Sequence, residues 1–147
     1  MSRIIRGLAA ALTACALAAP AAEAVERPFK LVEHGTVTFD GPYARSISTG
    51  HATHLGRFTL YRRATLSNPV GTVFEATGEA TIVAADGDRL FSTLEGTLDA
   101  ATGRGVLSYE WGGGTGRFEH ATGSTTWHVV VQPDNTFDVT ASGVIDY

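Results

Sequence analysis

Three residues able to do chemistry sit where alternation along the chain places them in apolar company. Arg62 shares parity with Phe58, Leu60, Ala64 and Leu66, Glu33 with Leu31, Gly35, Val37 and Phe39, and Tyr109 with Leu107 and Trp111. Residues two apart in an extended strand lie on one face, so each polar group belongs to the apolar face of its segment. A guanidinium buried without a partner is very costly, and Glu33 is the carboxylate whose pattern suits it best. Such a pair beside the Tyr109 phenol can orient a carboxylate or an enol, or take part in acid–base work. The bland alternative is a structural ion pair at a barrel rim, or an arginine that snorkels out of one end. The frequency with which ion pairs serve no reaction favours that alternative.

His54 shares parity with Gly56 and Phe58 and falls near a barrel mouth, where an imidazole titrating near neutrality can shuttle a proton. His51 and His54 form a His-x-x-His, but a zinc site takes roughly three or four protein ligands and no Cys or third His lies nearby in sequence. Extended geometry also sends the two rings to opposite faces, so no metal is expected. Phe58, Trp111 and Trp127, with Tyr109, are candidates to line an apolar ligand pocket. Aromatics of this kind equally fill cores, because they bury large areas wherever they go. The glycines from Gly112 to Gly116 are not followed by the Lys-Ser/Thr and helix of a phosphate loop, and read as a wide turn. No serine sits in a Gly-x-Ser-x-Gly elbow, so hydrolase chemistry has no support.

The elements that must hold these residues are strands. After Pro28 no stretch carries a 3.6-residue apolar period, whereas period-two alternation recurs, punctuated by Gly, Asp and Asn. Strands are expected near 29–39, 43–50, 54–66, 71–85, 88–99, 104–112, 123–132 and 135–147, the second having the weakest pattern. Asp86-Gly87 suits a tight hairpin, the stretch from Asp99 to Gly103 a longer one ending in a glycine bulge, and Pro133-Asp134-Asn135 a turn with preset φ. Short connections make successive strands antiparallel neighbours, and a meander of about eight strands closes into a barrel, which removes exposed edges. The expected interior sets are Leu90, Leu94 and Leu98; Leu107, Tyr109 and Trp111; Trp127, Val129 and Val131; and Phe137, Val139, Ala141, Gly143 and Ile145, with small residues at Ala76, Gly78 and Ala80 leaving room opposite the aromatics.

The first 24 residues read as a signal peptide outside the fold. Arg3 and Arg6 form a positive n-region, Gly7 to Ala19 a short apolar run, and Ala22-Glu23-Ala24 a cleavage pattern, leaving residues 25–147 as one barrel domain. The run is shorter than the ~20 residues a membrane span needs, so no transmembrane segment is expected. A minority alternative is a lipid anchor at Cys15, since Leu12-Thr13-Ala14-Cys15 resembles a lipobox. Export to a periplasmic or extracellular compartment is implied by either reading. Cleavage after Ala24 removes the one cysteine, so the domain is held by its sheet and core alone. A net charge of −4 with both signs interspersed offers no basic footprint for nucleic acid.

The segment from Gly112 to Gly123 (GGGTGRFEHATG), with two strands after it, resembles the allene oxide cyclase and dirigent-protein barrels, which carry a Gly-rich turn, an aromatic and a small-x-Gly step before the final hairpin. The stretch from Ala52 to Thr59 (ATHLGRFT) is similar to a phrase in exported bacterial relatives. Together the two phrases cover roughly residues 50–147. The resemblance implies a calycin-like closed barrel that works without metal or nucleotide and holds a reactive apolar molecule in its lumen. The leading expectation is therefore an exported, cofactor-independent barrel that binds a small apolar molecule. One alternative is a cyclase-like isomerase using Glu33, Arg62, Tyr109 and His54. The other is a non-enzymatic surface protein with a packed lumen that self-associates as a homo-oligomer.

Overall fold

The computed structural model describes residues 25–147, and the signal-peptide reading and Cys15 lie outside the described residues. Eight strands run in chain order: β1 (Arg27–Asp40), β2 (Tyr43–Ala52), β3 (Gly56–Val70), β4 (Val73–Val83), β5 (Arg89–Asp99), β6 (Arg104–Gly114), β7 (Ser124–Val131) and β8 (Thr136–Ile145). Each pairs antiparallel with the next, and β8 pairs back onto β1, so the sheet is a closed barrel. No α-helix occurs among the described residues, and a single 3-10 turn spans Gly116–Phe118. No helix there is long and apolar enough to cross a membrane.

The turns obey the local chemistry. Gly87 takes a φ of 91° behind Asp86, whose carboxylate accepts the Asp88 N–H at 3.0 Å, and Gly103 closes the β5–β6 hairpin at a φ of 71°, both values a side chain resists. Strand boundaries differ from the sequence reading at several places. β2 continues to Ala52 and β3 begins at Gly56, so His54 and Leu55 belong to a turn. β3 runs on to Val70 through an irregularity between Ser67 and Val70, where Asn68 has a φ of 47°. The glycines from Gly112 to Gly114 finish β6, and only the residues after them leave the sheet.

Alternation sorts the two faces as expected. Leu90, Leu94, Leu107, Tyr109, Trp111, Trp127, Val129, Phe137, Val139, Ala141 and Ile145 are all buried. The inside is unevenly filled along the barrel axis. At one end, where the β2–β3, β4–β5 and β6–β7 connections gather, Leu55, Phe118 and Ala121 join Phe29, Trp111 and Ile145 in a packed plug. At the other, where four hairpins turn, Val37, Leu66 and Val131 are only partly buried and the lumen opens.

Candidate functional site

The polar cluster lies between these halves. Glu33 and Arg62 stand on β1 and β3, which are separated by β2, so a long side chain must cross one strand for them to meet. The sequence of β2 permits this because its inward positions are small: Ser46, Ser48 and Gly50 oppose Arg62, Leu60 and Phe58 in register. Arg62 reaches over them, and its Nη2 donates to Glu33 Oε1 at 2.6 Å. Nη1 donates to Ser46 Oγ at 3.1 Å, and Nε donates to the Tyr109 hydroxyl oxygen. Ser48 Oγ donates to the second carboxylate oxygen, Glu33 Oε2, at 2.8 Å. Both oxygens of Glu33 are thus satisfied, as a buried carboxylate requires.

Aromatic rings complete the setting. The guanidinium carbon lies 5.5 Å from the ring centroids of Trp127 and Phe137 and 5.6 Å from that of Tyr109, within the range of cation–π attraction. Tyr109 and Trp127 stack at 4.0 Å with an interplanar angle of 11°, and the Trp127 indole N–H donates to Thr125 Oγ1 at 2.6 Å. Burial opposes the charge on Arg62, but Tyr109 and Glu33 outweigh it and hold its pKa above the ordinary arginine value. Burial pushes the Tyr109 phenol up to about 12, against the opposing pull of Arg62. At neutral pH the cluster therefore holds a cationic guanidinium and a neutral phenol.

Only part of the cluster faces open space. A cavity of ≈ 70 Å³ enters from the hairpin end, with Arg62 and Ser46 among its polar lining and Ala44, Ala64, Ala76, Leu107 and Phe137 among its apolar walls. It shares Phe39, Leu66, Leu98 and Val131 with a wider hollow of ≈ 580 Å³ at the barrel mouth. Glu33 and Tyr109 stand behind Arg62, with the Glu33 side chain 0% exposed and Tyr109 likewise 0%. Arg62 is thus the charged group that borders the open space, and the other two act on it.

The remaining candidates are elsewhere. His54 sits in the β2–β3 turn at the plugged end with a φ of 68°, away from the cluster. Its Nε2 lies 2.9 Å from the Pro28 carbonyl, which can only accept, so Nε2 carries the proton. Nδ1 then accepts from the Tyr147 hydroxyl at 3.1 Å. With both ring nitrogens engaged, His54 clips the turn to β1 and to Tyr147. His51 points outward from β2, and among the described residues no group of three or more His, Cys, Asp or Glu is placed to hold a metal ion.

The aromatic candidates are divided between the plugged half and the polar cluster. Phe58 and Trp111 are buried in the plugged half, where Trp111 packs on Phe29 at 5.0 Å and its indole donates to the Val144 carbonyl at 3.1 Å. Trp127 stacks on Tyr109, and none of the three is in the wall of the cavity. Of the residues that do line it, Ala44 and Ser46 come from the segment with the weakest alternation. There Ile47 is 57% exposed while Ser46 and Ser48 point in, so polarity alone assigns the faces of β2 the wrong way round. The signal that identifies them is register: a buried Arg–Glu pair on β1 and β3 requires small residues on the strand between. No protein-family model matches this chain, and no curated protein matches it either.

Proposed function

We propose that the barrel is an exported, cofactor-independent protein that takes one small, largely apolar molecule tip-first into its lumen, with Arg62 meeting the tip and the mouth holding the rest. The observation that carries this reading is the apolar cavity opening at the hairpin end and floored by Arg62. The ≈ 70 Å³ inside is well below the roughly 300 Å³ at the lower end for ligand sites, so only a slim terminus enters and the ≈ 580 Å³ mouth receives the body. Export rests on the N-terminal Arg3, Arg6 and Ala22-Glu23-Ala24 pattern, and the likeness to allene oxide cyclase and dirigent barrels agrees with a lumenal ligand.

A second reading is enzymatic. A buried guanidinium backed by Glu33 and Tyr109 and touching the cavity is placed to stabilise negative charge developing on a bound oxygen, as an isomerase or cyclase requires. In it Arg62 contacts the substrate, while Glu33 and Tyr109 hold Arg62 in position.

The test is a thermal-shift screen of terpenoids, phenolics and medium-chain lipids against the protein and its Ala76→Leu variant, which fills the cavity from β4. Stabilisation of the native protein that disappears in Ala76→Leu supports lumenal binding. No hit in either protein leaves the barrel as a scaffold and ends the proposal. Turnover of a hit by the native protein and not by Arg62→Lys separates the enzyme from the carrier, because lysine keeps the charge but loses the planar fork.

A further inference from the structure

Donors dominate the polar groups that line the cavity, with Arg62 and Ser46 foremost. Arg62 has five N–H bonds, of which one each from Nε, Nη1 and Nη2 is engaged by Tyr109, Ser46 and Glu33, leaving one on each terminal nitrogen without a partner among the described residues. Ser46 Oγ accepts from Arg62, so its own hydroxyl hydrogen is free to donate. The carboxylate and phenol acceptors are engaged and hidden: Glu33 Oε1 receives Arg62, Glu33 Oε2 receives Ser48, and the Tyr109 oxygen receives Arg62.

Charge makes the same selection. Glu33 and Arg62 are the only charged side chains buried among the described residues, and they form a contact pair, so the lumen is neutral as built. A carboxylate brought to its floor sets two anions against one guanidinium and loses its own hydration against apolar walls, which is heavily unfavourable. A hydroxyl or amine brings a donor for which the floor offers only the second lone pair of Ser46 Oγ, and it leaves more of the free donors unmatched than a carbonyl does. A carbonyl oxygen on an apolar body matches both the donors and the neutrality.

We infer that the lumen selects an uncharged, carbonyl-bearing apolar molecule, a ketone or an ester, and rejects the corresponding carboxylate. The inference rests on the proposed lumenal binding and narrows it to a ligand class. It also assigns Glu33 a role in specificity: its charge is what makes the site refuse anions.

The test is calorimetric titration at pH 8 with 2-octanone, 1-octanol and octanoate, which share a chain length and differ in head group. The native protein is expected to bind the ketone at least about tenfold more tightly than octanoate, with the alcohol between them. Glu33→Gln leaves Arg62 uncompensated, and the ratio between ketone and octanoate is expected to reverse. Octanoate binding to the native protein as tightly as the ketone overturns the inference and leaves lumenal binding standing. Binding of none of the three overturns lumenal binding, and ketone binding retained in Ala76→Leu places the ligand outside the lumen and overturns both. Should Glu33→Gln fail to fold, the comparison of head groups on the native protein decides alone.

Discussion

The two halves of this barrel obey the same alternation and reach opposite ends: one is a plug, the other a pocket. At the plugged end the β6–β7 connection folds back through its 3-10 turn and drops Phe118 onto the barrel axis, where Phe118 is 0% exposed and packs on Tyr147 at 5.0 Å. At the open end none of the residues in the four hairpin turns is buried, and small residues such as Ala44, Ala64, Ala76 and Gly105 stand where side chains would otherwise meet. Inward parity alone therefore does not make a binding site. The connection at the end of each strand decides whether the last inward residues are covered, and the size of those residues decides whether space remains.

The boundary between the halves is the Arg62–Glu33 pair, and breaking it is expected to have the largest effect. Glu33→Ala strands a buried guanidinium, and loss of one partner of a buried pair costs about 3–5 kcal/mol. Urea unfolding measures this as a lowered midpoint at unchanged slope. The double variant Arg62→Met with Glu33→Leu removes both charges, and most of the lost stability is expected to return. If the double variant is no better than Glu33→Ala, the pair is not the source of the loss.

A matched truncation in each half has one member of comparable size and one much smaller. Phe118→Ala opens a void in close-packed surroundings and is expected to cost about 3–5 kcal/mol. Leu66→Ala removes a partly buried side chain that already borders open space, and the loss is expected to be about 1 kcal/mol. Equal losses contradict the contrast between plug and pocket.

The strands and their inward sets were legible because alternation and turn residues are local signals, and Leu90, Leu94 and Leu98 needed nothing more. The pairing of Glu33 with Arg62 was legible for a different reason, since a buried cation demands an anion. The direction in which the barrel opens was not, because strand parity carries no information about which end a loop will cover. His54 shows the cost of that gap: its parity suited the lumen, but a turn with left-handed backbone places it at the plug. Phe58, Trp111 and Trp127 were read correctly as inward, and only their depth along the axis tells core from pocket wall.

The alkaline limb of stability sharpens the role of Tyr109. Its folded pKa, about 12, lies above the ordinary 10.0 because of burial. Between those values the unfolded chain gives up the phenolic proton while the folded one keeps it. The unfolded state therefore binds fewer protons, and stability falls with rising pH by up to about 1.4 kcal/mol per unit across that window. Below pH 10 the contribution is fully present. Tyr109→Phe is expected to remove this part of the slope, and the difference in phenolate absorbance between the two proteins is expected to titrate at about 12. A Tyr109 phenolate that appears near the ordinary 10.0 contradicts its place in a dry boundary layer.

The smallest expected effect separates the two ends by acid. The open rim is tied by carboxylates: Asp99 Oδ1 accepts from the Thr72 hydroxyl at 2.6 Å and the Ala101 N–H at 2.9 Å, and Asp134 Oδ1 accepts from the Thr136 hydroxyl at 2.6 Å and its N–H at 3.0 Å. These bonds, the threonine hydroxyls foremost, lower both pKa values below 3.8. The stability they lend is present above 3.8 and fades as pH falls through the lowered folded values. The rim carboxylates stand in water, so the protein as a whole stays folded while the hairpins loosen. Two-dimensional NMR is expected to show the Thr72, Ala101 and Thr136 amides shifting below about pH 4 while the Trp111 indole N–H, bonded to Val144 inside the plug, stays in place. Asp99→Asn, which keeps the acceptor oxygen but not the charge, is expected to flatten the Thr72 and Ala101 shifts and leave Thr136 unchanged. Movement of the Trp111 signal together with the rim means that acid acts on the whole barrel at once, and the independence of its two ends is lost.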